Sequence, residues 1–191
     1  MVAMERENIL RGEKVQLTAL RQEDADVIAE WYQDTAFLRN YDSSPAYPKT
    51  EKQLATMLEE EQKDNNTFLF AVRLLDSGRI IGLLQLDGIA WTHGTSWVSI
   101  GIGEEADRGQ GYGREAMEIG LRFAFDELNL HRVCLTVFSY NQAARTLYER
   151  LGFRHEGTYR EHLMRDGRRH DMLLYGLLRR EWQERTAGTG A

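Results

Sequence analysis

Asp107-Arg108-Gly109-Gln110-Gly111-Tyr112-Gly113-Arg114 is the stretch on which the fold turns. On its N-terminal side, residues 96–103 alternate Val98, Ile100 and Ile102 with smaller residues, a strand of period two. On its C-terminal side, Met117, Leu121, Ala124 and Leu128 recur at i, i+4, i+7 and i+11, an amphipathic helix over 113–128. Glycines at such a junction let the backbone adopt positive φ and approach a ligand closely. A helix start offers unpaired N–H groups and the positive end of a dipole, so the loop suits an anion such as a pyrophosphate. A Walker loop would need Gly-Lys-Ser/Thr at the helix start, and none is present. Residues 111–116 match GxGxxA, but a dinucleotide fold expects an acid at the end of the next strand. That strand ends Phe138-Ser139-Tyr140-Asn141.

Working outward, the N-terminal half reads as a strand over 14–21, a helix over 24–33 and a second helix that Thr50 caps. Both prolines, Pro45 and Pro48, fall in an irregular stretch over 41–49. Strands over 68–75 and 79–89 flank the turn Asp76-Ser77-Gly78. Beyond the glycine loop and its helix, residues 131–138 form an apolar run without clean alternation, as in a strand covered on both faces. A short helix over 141–151 follows, with Gly152 placed for a left-handed cap. A hairpin over 153–164 and 168–178 turns at Asp166-Gly167, and the tail 186–191 reads as frayed. The expectation is an α/β fold: a mixed α+β sheet built from an antiparallel meander, then βαβα, then a C-terminal hairpin. Strands joined by a helix lie parallel, with a right-handed crossover.

Composition narrows the function. The 191 residues suit a single domain over 1–191, with a core over about 12–182. Lys and Arg number 24 against 30 Asp and Glu, a net charge of −6 that argues against nucleic acid as a partner. One cysteine, Cys134, excludes a disulfide framework and a multi-cysteine zinc site, and it reads as a buried core thiol. The five histidines show no i, i+4 pair, so no metal site is expected. No GxSxG elbow occurs. No apolar run opens the chain or approaches a membrane span, so the expected location is cytoplasmic, without a membrane partner.

Two blocks carry a family resemblance. Arg108-x-x-Gly111-x-Gly113 is similar to the (Arg/Gln)xxGxGly/Ala signature of the GNAT N-acetyltransferases. Ala144-Arg145-Thr146-Leu147-Tyr148-Glu149-Arg150-Leu151-Gly152-Phe153 resembles that family's AxxLYxxxGF helix. The element order resembles the GNAT-like acyl-CoA N-acyltransferase fold as well. The opening Val15-Gln16-Leu17-Thr18-Ala19-Leu20-Arg21 and the closing Asp171-Met172-Leu173-Leu174-Tyr175-Gly176-Leu177 look like the RimJ/RimL branch. That branch includes ribosomal-protein N-terminal and spermidine acetyltransferases.

The resemblance implies a transferase that moves acetyl from acetyl-CoA, its co-substrate, to an amine by direct attack in a ternary complex. A non-catalytic acyl-CoA-binding module is the competing class, and retention of Tyr148 argues for the enzyme. Cofactor binding falls to the loop Arg108, Gly109, Gln110, Gly111, Tyr112 and Gly113, and to the splayed strand residues Ile100, Gly101 and Ile102, whose backbone pairs with pantetheine. Gly101 and Gly103 leave room for close approach. Asn141 reads both as a helix N-cap and as a cofactor contact. Tyr148 is the general acid for the leaving thiolate. Glu104 is the candidate base beside Glu105, with Asp87, His93 and Asp171 behind them. Trp31, Tyr32, Tyr41 and Tyr47 fall where the family shapes its acceptor cleft. The Glu59-Glu60-Glu61 run reads as a solvated helix edge and no second acidic cluster plainly faces the same cleft, so the expected acceptor is a peptide or protein α-amine, with a polyamine or aminoglycoside-like small amine as the alternative. A homodimer is expected from the apolar run over 172–178.

Overall fold

The computed structural model describes residues 8–188. The chain opens with strand β1 (Val15–Thr18) and three helices: α1 (Asp24–Trp31), α2 (Thr35–Tyr41) and α3 (Glu51–Lys63). Then come β2 (Phe68–Leu74), β3 (Ile80–Ala90) and β4 (Thr95–Ile102). A 3₁₀ turn (Glu105–Asp107) and the glycine loop lead into α4 (Tyr112–Arg122). The chain ends with β5 (Arg132–Phe138), α5 (Gln142–Arg150), β6 (Arg154–Arg165), β7 (Arg168–Leu178) and α6 (Arg179–Gly188). The seven strands form one mixed sheet in the order β1-β2-β3-β4-β5-β7-β6, with β4 and β5 its parallel pair. This is the expected meander, βαβα and hairpin.

Pleating sends successive residues to opposite faces. Val72 and Leu84 join the larger core with Met117 and Leu121 of α4, while Ala71 and Leu83 join a second core with Ile28, Phe37 and Leu54 of α1–α3. Helices therefore cover both faces of the sheet. The first helix is tied down by a buried ion pair. Arg73 donates to Asp24 at 2.5 Å and to the Thr18 hydroxyl at 2.9 Å, and the same carboxylate accepts the Arg21 N–H.

Four local expectations change. The helix expected over 24–33 stops at Trp31, and α2 begins afresh, capped by the Asp34 side chain. The helix expected over 113–128 passes at Arg122 into a π-helical turn (Phe123–Glu127), which sets Phe123 edge-on against Phe68 and Phe70. The tail is helical through Gly188, where Trp182 is buried against Phe125. The apolar run 172–178 lies in β7, bracketed by β5 and β6, so it does not form a free edge; β6 does. Among the described residues no helix is long and apolar enough to cross a membrane. The N-terminal residues 1–7 and the tail residues 189–191, on which the leader and fraying expectations bear, lie outside the described residues.

Candidate active site

Strands β4 and β5 pair only over Thr95–Trp97 and Arg132–Cys134. Beyond Trp97 they diverge, and a cavity of about 340 Å³ opens in the splay. Val98, Ser99 and Ile100 line one wall, and Thr136, Val137 and Phe138 the other. Asn141, Ala144 and Tyr148 of α5 close one side. Tyr41, Asp42 and Ser43, with Asp87 of β3, close another. Past the splay, β4 keeps its bonds to β3 but shows an unpaired edge to the cavity. An extended ligand arm can add to such an edge as a strand would.

The glycine loop has the properties of an anion cradle. Gly109 and Gly111 hold φ of +76° and +86°, and a side chain added at Gly109 would meet nothing within 4 Å. Gly111 is the N-cap of α4. Among the described residues the N–H groups of 109–111 donate to no protein acceptor, and the first turn of α4 leaves its own donors free. The two arginines beside the loop are engaged elsewhere. Arg108 donates to the carbonyls of Ile102 and Gly103, and Arg114 pairs with Glu118 at 3.0 Å. Arg108 thus locks the loop to the end of β4. Glu115, in the first turn of α4, accepts from the N–H groups of Glu13, Lys14 and Val15, which fixes β1 against the loop.

Tyr148 owes its position to the cap of its helix. Gly152, at φ +94°, donates to the Glu149 carbonyl at 3.1 Å, and Phe153 donates to the Tyr148 carbonyl at 3.0 Å. These are the two bonds of a Schellman motif, whose accompanying contact joins residues C3 and C″. Here those residues are Tyr148 and Phe153, with ring centroids 6.0 Å apart and edge to face. The LYxxxGF spacing is therefore the geometry that pins the Tyr148 ring. Tyr148 is only 7% exposed, and burial pushes its phenol up to about 12. Its hydroxyl has no partner among the described residues, so a donor stands free in the cavity wall. Asn141 lies in the same wall, its side-chain oxygen capping α5 through the Ala144 N–H at 3.1 Å.

The chain's similarities follow this geometry. Residues 14–154 match the family model of the acetyltransferase (GNAT) domain. The chain belongs to the GNAT acetyltransferase family. It is 30% identical over 172 residues to the SPbeta prophage-derived N-acetyltransferase YokL of Bacillus subtilis, covering 90% of this chain and 94% of the relative. It is 25% identical over 179 residues to the ribosomal protein uS5-alanine N-acetyltransferase of Escherichia coli, covering 91% and 92%. Among solved structures, spermidine N-acetyltransferase from Vibrio cholerae, in complex with CoA and spermine, superposes with a TM-score of 0.81 at 26% identity, covering 88% and 98%. This GNAT chain is an acetyl-CoA-dependent N-acetyltransferase.

The structure brings Ile100, Asn141 and Tyr148 to one cavity, and places Gly101, Ile102 and the loop 108–113 along the continuation of its β4 wall. It does not bring Glu104 there. That side chain is 53% exposed, 4.0 Å from Arg79, outside the cavity lining. Gly101 and Gly103 make room for protein: a Cβ would sit 2.7 Å from the Tyr41 ring and 2.2 Å from the Trp31 ring. His93 is exposed in the β3–β4 turn. The Asp171 carboxylate accepts the Glu161 N–H at 2.8 Å on the hairpin. Of the N-terminal aromatics, Tyr41 lines the cavity, Trp31 and Tyr32 are buried packing rings, and Tyr47 is exposed.

The carboxylates that do reach the cavity are far apart in sequence. Asp42 and Asp87 line it. Glu61 lies close enough that both raise its carboxyl above the usual range, after burial itself. Burial, then Asp64, raises the Asp87 carboxyl as well. Among the described residues, no Lys, Arg or His lines the cavity. Trp97, 39% exposed, completes the same wall.

Proposed function

We propose that the acceptor is a small primary amine carrying further positive charge, of the polyamine kind, with Asp87 as its base and Tyr148 as the acid. The observation that supports this is the cavity lining: among the described residues, two carboxylates, a third behind them, and no cationic side chain. An amine of pKa near ~10 arrives protonated. Asp42, Glu61 and Asp87 attract it, and a carboxylate raised by burial accepts its proton more readily than an ordinary one. The freed nitrogen lone pair then forms the bond to the thioester carbonyl carbon as the carbon–sulfur bond breaks. The sulfur leaves with the bonding pair and takes the Tyr148 proton, and the second proton that the nitrogen sheds on becoming an amide returns to the Tyr148 phenolate. The splayed edge of β4 and the loop over 108–113 hold the donor while this happens.

A protein or peptide α-amine is the second reading. It is supported by the similarity to the uS5-alanine acetyltransferase over 91% of this chain. An α-amine, with pKa near ~7.7–8.0, also asks less of a base. Competition between an N-terminal peptide library and spermidine with aminoglycosides separates the two. The polycation reading expects the small amines to lead in kcat/KM by about tenfold or more, the weight of roughly one added ion pair in a part-buried site. Preferential turnover of peptides overturns it.

A further inference from the structure

One positive charge at the glycine loop comes from a residue outside both sequence blocks. Arg108 points back to β4 carbonyls and lies 3.8 Å from Asp34, and Arg114 is paired with Glu118 on the helix flank. Lys14, which immediately precedes β1, reaches the loop instead. Its Nζ donates to the Gln110 carbonyl at 3.4 Å and lies 3.8 Å from where a Cβ on Gly111 would sit. Its backbone is fixed, because its N–H donates to both oxygens of Glu115, at 3.2 and 3.0 Å. Among the described residues its ammonium makes no ion pair.

We infer that Lys14 is a cofactor-binding residue, supplying the ammonium that meets the pyrophosphate of coenzyme A over the 109–111 turn. The inference rests on the loop being the cofactor's pyrophosphate site. Backbone N–H groups of the loop and the α4 start offer partial charges, which orient an anion. A full charge on a side chain adds a charge-assisted bond to a phosphate oxygen. Glu115 places the stem of Lys14 without touching its head, so the ammonium swings from the Gln110 carbonyl to the phosphate at little cost. The charge then comes from the sheet edge while the donors come from the helix, and β1, α4 and the cofactor are linked through one pair of side chains.

The test is calorimetry of coenzyme A and of dephospho-coenzyme A, which keeps the pyrophosphate but lacks the ribose phosphate, on wild type, Lys14→Met and Lys14→Arg. Methionine keeps the apolar stem and removes the charge. The dissociation constants of both ligands should rise by about five- to twentyfold in Lys14→Met, the span of one partly exposed charge-assisted bond. Lys14→Arg should recover most of that loss, and the salt dependence of wild-type binding should exceed that of Lys14→Met. S-acetylpantetheine, which carries no phosphate, serves as the control donor in turnover. A loss confined to phosphate-bearing ligands supports the assignment. Unchanged affinity in Lys14→Met, a loss seen with coenzyme A but not dephospho-coenzyme A, or an equal loss with S-acetylpantetheine overturns it. Wild type failing to bind coenzyme A, or Gly111→Val binding it unchanged, would instead defeat the loop placement beneath it.

Discussion

Tyr148→Phe is the perturbation that most directly tests how the cavity works. The Tyr148 ring is fixed by Phe153 and by the Schellman bonds of α5, none of which involves the hydroxyl. Phenylalanine keeps all of that packing. Among the described residues the lost hydroxyl has no protein partner, so stability should change by no more than ~0.5 kcal/mol. The chemical cost is different in kind. A leaving thiolate has a conjugate acid near ~8.5 in water, well below the Tyr148 phenol at about 12. In water the proton would stay on the phenol. In the cavity the same burial that lifts the phenol also destabilises the thiolate, so the gap narrows as sulfur leaves. Loss of such a donor costs roughly 10²–10⁴ in kcat. Because the phenol stays protonated through the neutral range, the variant should lower the plateau of the pH–rate profile without moving its limbs. The assay is thiol release from acetyl-CoA at saturating amine, with calorimetry for cofactor affinity and a thermal melt. A kcat within about threefold of wild type removes Tyr148 from the mechanism. A parallel fall in cofactor affinity would mean that the hydroxyl binds coenzyme A and donates no proton.

Asp87→Asn should lower kcat/KM for a polyamine and remove the acidic limb of its pH profile, whereas Glu104→Gln should leave kcat/KM within about twofold; the reverse pattern returns the base to Glu104. The folded carboxyl of Asp87 is raised, so its charged form opposes folding above the ordinary carboxylate range. Asp87→Asn should therefore melt higher at neutral pH, with the difference fading as pH falls through that raised pKa, and a lower melting point at pH 7 contradicts the burial argument. Gly111→Val places a β-branched residue at φ +86° and should weaken coenzyme A by about tenfold or more at a strain cost of roughly 1–2 kcal/mol. Unchanged calorimetry in that variant refutes the placement of the loop. A homodimer is expected through the free edge of β6, where Tyr159 and Met164 are exposed, and light scattering at the 22.1 kDa of one chain at micromolar concentration counts against it.

Elements with strong periodicity were legible in the sequence: the alternating β4, the heptad-like face of α4, the hairpin around Asp166-Gly167. Thr50 announced α3, whose cap is a full capping box with Gln53. Elements held by a single anchor were not legible. The helix α6 buries only Trp182 from a segment that is otherwise charged, polar or small, and α2 is seven residues long, so neither presents a periodic stripe. The break between α1 and α2 is set by the Asp34 side chain capping the Ala36 N–H, a local competition that apolar spacing does not report.

The same division runs through the site and has a physical cause. A pyrophosphate and a pantetheine arm are held largely by backbone. Backbone contacts require a contiguous run with special dihedrals, so the proposed pyrophosphate turn Gly109-Gln110-Gly111 shows itself within a few residues, while Tyr148 shows itself through the Schellman spacing to Gly152-Phe153 that pins its ring. On the proposed reading an amine is held by side-chain charge, and charge can be delivered from any element that reaches the cavity. Asp42 follows α2, Glu61 lies near the end of α3 and Asp87 lies on β3, three positions that share no motif and come together because α1–α3 pack across the β2–β3 face of the sheet. Glu104 and Glu105 looked like the acidic cluster because they are adjacent in sequence, but the turn that follows β4 directs Glu104 to Arg79 and solvent. Lys14 belongs with the scattered group: a lone lysine before a strand becomes a loop residue only through Glu115, 101 positions away. On the proposed reading, a single substitution at Asp42, Glu61 or Asp87 should alter acceptor preference without touching the contiguous backbone pattern of the glycine loop.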